Sequence, residues 1–217
     1  MRNPVSALSA LLLLLPFSAA AQPPANPLTT AWRDGHFQVD FPGVVGRSDL
    51  VLQRPNLDPA EAMPLGNGNL GVAVWSENGL TAQLNRNDTM PGRLSAGQIV
   101  LPGLATLSHG KGYSARLDLY HGEFREQGGG LAVTCFVEPE TDALIIDVTG
   151  ANPGNQQTVL LKLWAPRTPH AAVSGPIGLL AESWLDDKNP GASGRAFGSL
   201  AALTAEGRDV SAAVTDP

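Results

Sequence analysis

The chain has 217 residues, of which 43% are hydrophobic, and a formal net charge of −6. That length supplies one sizeable domain, and an acidic balance without clustered Lys or Arg excludes an electrostatic footing for nucleic acid. The only cysteine, Cys135, excludes an intrachain disulfide, so an exported fold has to hold on its core alone.

In chain order, residues 1–21 have the form of a cleavable secretory signal peptide. Arg2 is the positive n-region, Val5 to Phe17 the apolar stretch, and Ala19-Ala20-Ala21 the small-residue cleavage site. The apolar stretch falls short of the roughly 20 residues of a membrane span, and Pro16 interrupts it. Cleavage after Ala21 predicts a secreted or periplasmic protein with no membrane attachment afterwards. No cysteine lies near the site to carry a lipid. Residues 22–30, rich in Pro, Ala and Asn, read as a leader, and the domain is expected over residues 31–217.

From there the apolar periodicity is that of strands. Leu70–Trp75 is one apolar run, and Leu80, Ala82 and Leu84 alternate with Thr81, Gln83 and Asn85 in the next. Asn78-Gly79 between them supplies the positive φ angles of a tight hairpin. Further strands are expected at Arg116–Glu126, Leu131–Glu138, Ala143–Thr149 and Thr158–Trp164, divided by Gly128-Gly129-Gly130, Pro139–Asp142 and Asn152-Pro153-Gly154-Asn155. Cys135 falls within such a run and is expected to be buried and inert. Pro166–Pro176 and Leu185–Arg195 read as long loops, with short strands at Ile177–Glu182, Ala196–Thr204 and Val210–Val214. This spacing predicts an all-β fold, an antiparallel β-sandwich. The strand–turn pattern stops in mid-course at Pro217, so the domain is expected to be incomplete there.

The most distinctive segment is Met63-Pro64-Leu65-Gly66-Asn67-Gly68-Asn69-Leu70-Gly71, running on through Trp75 and followed by Gln83-Leu84-Asn85-Arg86-Asn87-Asp88-Thr89-Met90. Its glycine spacing is not that of a phosphate loop, and a strand rather than a helix follows. These stretches, with Tyr113–Leu119 and Gly129–Thr149, resemble the opening module of glycoside hydrolase family 95. That family shows a P-[IL]-G-N-G-R-L-G-[AG]-x-V motif and then a strand ending in Q-L-N-E-D-T-L-W. The resemblance covers Arg54 to Gly150. Asn69 stands where the family has Arg, Arg86 and Asn87 replace its acidic pair, and Met90-Pro91 replaces Leu-Trp, as in a divergent branch closer to the uncharacterised N-terminal domains of related hydrolases than to a typical family 95 fucosidase. The resemblance implies a large sandwich of the super-sandwich type, followed in the complete protein by an (α/α) barrel. Since the catalytic residues lie in that barrel, none is carried over, and the barrel of the same polypeptide becomes the expected partner.

Glycoside hydrolysis uses two carboxyl groups about 5–9.5 Å apart. Glu61, Asp88, Glu123, Glu126, Asp186 and Asp187 are on hand, yet none has a sequence context that raises its pKa or pairs it across a cleft. The segment is therefore expected to be non-catalytic by itself. Asn85, Asn87 and Asp88, just past a strand, are the candidates for facing a sugar or bracing a neighbouring domain. The competing and preferred reading is a local turn in which such side chains bond to nearby backbone. Trp184, in a polar stretch, is the candidate for stacking on an oligosaccharide, whereas Trp75 and Trp164 end apolar strands and are expected in the core. His36, His109, His121 and His170 lie far apart and predict no metal site, and no cofactor motif or G-x-S-x-G elbow occurs. Three functions remain: the N-terminal module of an exported glycoside hydrolase, a free-standing carbohydrate-binding module, or a structural exported β-domain.

Overall fold

The structure, a computed structural model, describes residues 31–77, 79–89, 94–185, 194 and 196–215. The expected signal peptide and leader, Asn78, Met90-Pro91 and the Asp186-Asp187 pair lie outside the described residues. Residues up to Asp40 belong to a unit of their own. In it, β1 (Ala31–Arg33) and β2 (His36–Gln38) form a hairpin through Asp34 and Gly35, both at positive φ. Its cross-strand pair Trp32 and Phe37 meets edge to face, ring centroids 4.8 Å apart.

The second unit starts at Phe41 with a short helix, α1 (Phe41–Gly46), and then β3 (Leu50–Leu52). There follow β4 (Met63–Gly66), β5 (Leu70–Trp75), β6 (Leu80–Arg86) and β7 (Gly97–Leu101). After α2 (Ala105–His109) come β8 (Ser114–Asp118), β9 (Glu123–Gly128), β10 (Leu131–Val137) and β11 (Leu144–Thr149). The chain continues with β12 (Leu160–Lys162), β13 (His170–Ser174), β14 (Ile177–Leu185) and β15 (Ala196–Leu203). They make two five-stranded antiparallel sheets, ordered β11-β10-β9-β8-β3 and β12-β7-β6-β5-β4, and a three-stranded one, β13-β14-β15. The all-β sandwich expected from the sequence is the observed architecture.

Strand alternation builds the core. Leu65, Val72, Val74, Leu80, Ala82 and Ile99 from one sheet meet Ala115, Leu117, Phe124, Val133, Cys135 and Val137 from the other. Each fully buried aliphatic or aromatic side chain contributes about 1.5–3 kcal/mol relative to exposure. The third sheet joins through Leu180 and Ala201, both buried, and through Leu203, which packs on the same core. Arg167 pins it further: its Nη1 donates to the Ser95 carbonyl at 2.6 Å and its Nη2 pairs with Glu182 on β14.

Several elements differ from expectation. Arg116–Glu126 is two strands, because Asp118 turns the chain: its carbonyl accepts from Gly122 N at 2.9 Å, its carboxylate from His121 N at 3.0 Å, and Gly122 takes φ +69. The expected loop Pro166–Pro176 contains β13, which pairs with β14. Val210–Val214 forms no strand. Trp184 lies in β14 opposite Phe197 rather than in a polar loop, since Glu182 and Ser183 beside it belong to an ordinary half-exposed strand. Trp75 is in the interior at 5% exposure, but Trp164 is 42% exposed, held just past β12 with the Arg167 guanidinium 5.8 Å from its ring centroid.

Candidate functional site

The distinctive motif forms the β4–β5 hairpin and reaches across to the other sheet. Gly68 sits at φ +96. A side chain at Gly66 would stand 2.9 Å from the Leu70 carbonyl, so the tight turn excludes one. Asn67 uses its whole amide. Its Oδ1 accepts from Asn69 N at 3.0 Å and Leu70 N at 2.9 Å, and its Nδ2 donates to the carbonyls of Glu138 at 3.0 Å and Thr141 at 2.9 Å. Those carbonyls belong to the β10–β11 connection, so one side chain ties the two large sheets together at this end. Glu138 braces that connection, accepting from Glu140 N and Thr141 Oγ1, both at 2.9 Å. The Thr141 hydroxyl and the backbone amides hold the Glu138 carboxyl below its ordinary range.

The expected binding residues sit beside this tie. Asn85 is half-buried near the end of β6, opposite Gly71. Asn87 donates from Nδ2 to the Gly68 carbonyl at 2.7 Å and from its backbone N to the Asn69 carbonyl at 3.2 Å. Asp88 accepts a two-pronged bond from Arg86 at 2.9 and 3.0 Å, which keeps its carboxyl below the usual range, and Arg86 also pairs with Asp142. The structure thus gathers Asn85, Asn87 and Asp88 at one end of the sandwich, while Trp184 stands on the third sheet.

The other nominated carboxylates divide into two kinds. Glu61 receives both prongs of Arg54, at 2.9 and 2.6 Å, and Glu123 pairs with Arg125; both are surface pairs. Glu126 is different, and the expectation that its surroundings leave its pKa unraised is corrected here. It is only 2% exposed, because β9 alternates Phe124 and Glu126 towards the core. Burial raises its carboxyl pKa; the bond from Ser76 and the nearby Tyr113 hydroxyl pull the other way and are outweighed. Ser76 Oγ donates to Glu126 Oε1 at 2.6 Å and lies 3.4 Å from Asn56 Oδ1. Asn56, also 2% exposed, donates from Nδ2 to the Val74 carbonyl at 2.9 Å and more weakly to the Glu61 carbonyl at 3.3 Å. Sequence reasoning misses this cluster because the pattern predicts a single strand over Arg116–Glu126. The alternation of Phe124, Glu126 and Gly128 was the signal that could have found it.

Asn56 also lines a depression of about 480 Å³ between the edge strands β3 and β4, with Val51, Leu52, Arg54, Glu61 and Met63 around it. His121 Nδ1 lies 2.9 Å from Asp118 Oδ2, while His36 and His109 lie against the backbone carbonyls of Asp34 and Ala105. Among the described residues, no three His, Cys, Asp or Glu side chains gather as metal ligands, and no helix is long and apolar enough to cross a membrane. The sequence matches no protein-family model and no curated protein.

Proposed function

We propose that this chain is the N-terminal, non-catalytic β-sandwich module of an exported glycoside hydrolase of the family 95 kind. Its partner is a catalytic (α/α) barrel of the same polypeptide. The observation that carries the reading is the use made of the motif: Gly66–Leu70 and the Asn67 amide are committed to joining the two sheets. The segment that bears the resemblance is therefore scaffold. In agreement, Glu61, Asp88 and Glu123 are each engaged by an arginine and Glu126 is sealed in the core, an arrangement unlike a pair of carboxyls facing a glycosidic bond. Asn85, Asn87 and Asp88 then brace the sandwich end or the edge of the substrate cleft, and glycans bearing fucose or galactose are the substrate class.

The test compares two proteins on aryl fucosides and galactosides. The 217-residue chain is expected to be inactive, and the product of the complete reading frame active. Hydrolysis by the chain alone, or a reading frame that closes at Pro217, overturns the proposal. Tight oligosaccharide binding by the chain, abolished by Trp184→Ala, would instead favour the carbohydrate-binding module. Export predicts a mature protein whose N-terminal sequencing begins at Gln22.

A further inference from the structure

The Glu126 cluster takes no part in the Asn67 tie, and its chemistry is unusual for a core. Glu126 projects from β9 between Ala115 of β8 and Val133 of β10, towards the sheet that carries Ser76 just past β5. Its Oε1 has the short bond from Ser76. Its Oε2 and the Tyr113 hydroxyl are both buried, and neither has a partner at hydrogen-bonding geometry, although each bears on the ionisation of the other. The titratable groups that bear on Glu126 are Tyr113 and Cys135, both neutral and both pushed further from ionisation by burial. No described cation does so. A carboxylate here would be a buried charge without a counter-ion, which protein interiors avoid by keeping the proton.

The cluster also lies on a junction. Ser76 N donates to the Asn56 carbonyl at 2.9 Å, and Asn56 in turn holds the Val74 carbonyl, so the Asn56 loop is fastened to the end of β5 at the point where Ser76 reaches Glu126. We propose that Glu126 is a proton-held latch: either form of the carboxyl can accept the Ser76 bond, but only the neutral acid can stay sealed between the sheets without a counter-ion, so loss of its proton opens the junction at Ser76 and the Asn56 loop. The junction then loosens as pH rises. The sign follows from linkage. The folded chain holds the Glu126 proton to higher pH than the unfolded chain, so the contribution is complete below the ordinary glutamate value of 4.5 and is lost as pH rises through the folded value. Between those two values the folding constant falls about tenfold per pH unit from this group alone.

The experiment follows the amide-exchange protection of Ser76 and the urea midpoint from about pH 5 to about pH 9, the range over which buried glutamates titrate. It uses the wild-type chain, Glu126→Gln, which mimics the neutral acid, and Tyr113→Phe. Wild-type protection at Ser76 is expected to fall with a slope approaching tenfold per pH unit, Glu126→Gln to be flat, and Tyr113→Phe to keep the slope. Equal slopes in the wild type and Glu126→Gln overturn the latch. Should Glu126→Gln fail to fold, carbon-13 titration of the wild-type Glu126 carboxyl decides. A midpoint at or below the ordinary value overturns the proposal, and a raised one supports it.

Discussion

Replacing Asn67 tests whether the motif is a cross-tie. Asn67→Ala removes four hydrogen bonds. Two of the groups left behind, Asn69 N and the Thr141 carbonyl, are in exposed bonds and regain water. The other two, Leu70 N and the Glu138 carbonyl, are part-buried and do not recover fully. At about 1–1.5 kcal/mol for each bond lost without replacement, the variant is expected to be about 2–3 kcal/mol less stable. Asn67→Asp sharpens the test: it keeps the acceptor for Asn69 N and Leu70 N but turns a carboxylate oxygen towards two carbonyls. It should be at least as damaging as Ala at neutral pH. Urea denaturation followed by circular dichroism reads both, with the slope unchanged if only the native state is affected. A loss below about 0.5 kcal/mol for Asn67→Ala, within the noise of ordinary surface substitutions, would refute the cross-tie. So would an Asp variant as stable as the wild type.

Gly79 sits at φ +93, and a Cβ there would stand 2.1 Å from the Leu101 carbonyl oxygen; Gly68, at φ +96, has open space around it. Gly68→Ala is expected to cost the left-handed strain of about 1–2 kcal/mol, and Gly79→Ala clearly more, as ranked by thermal denaturation. Cys135 is 0% exposed, and burial raises its thiol above the ordinary range. A thiol-specific disulfide reagent should leave the native protein unmodified and label one site per chain once urea unfolds it. On the acid side, Asp49 is held low by the Leu119 amide and Arg116, Asp118 by the His121 amide and side chain, and Glu138 by Thr141. Their stabilisation is present above the unfolded values and is lost as pH falls through the lowered folded ones. The melting temperature should therefore drop below about pH 4, the ordinary carboxylate range, and less steeply in Asp118→Asn.

What was legible in the sequence was whatever strand periodicity and punctuation encode. The pairing of β5 with β6 follows from the apolar run Leu70–Trp75 and the alternation of Leu80, Ala82 and Leu84 on either side of Asn78-Gly79, and that of β10 with β11 from the Pro139–Asp142 break. Arg116–Glu126 was misread because its turn is made by an aspartate bonding to its own backbone neighbours, with Gly122 as the only punctuation. The strand β13 was hidden because Pro166 and Pro176 bracket it and the run between them is short. Trp164 is drawn outward by Arg167, a partner fixed by Ser95 and Glu182, far from it in sequence. Glu126 shows the same limit: a glutamate on a surface strand and one on a core face are the same letter, and only the register of β9 distinguishes them.

The geometry of the motif shows which of its side chains the hairpin depends on. Position 67 has to accept from two backbone amides on one side and donate to two carbonyls on the other. Of the short polar side chains, only asparagine combines an acceptor with two donors, since aspartate has no donor and the hydroxyl of serine or threonine has one. Position 69 contributes through its backbone, giving its N–H to Asn67 and its carbonyl to Asn87 N. The tie therefore uses only the backbone of Asn69. Arg86 pairs with Asp88 and Asp142, so its charge is balanced locally at this end. Substitution at 69 or 86 is therefore compatible with the same hairpin, whereas substitution at 67 is not.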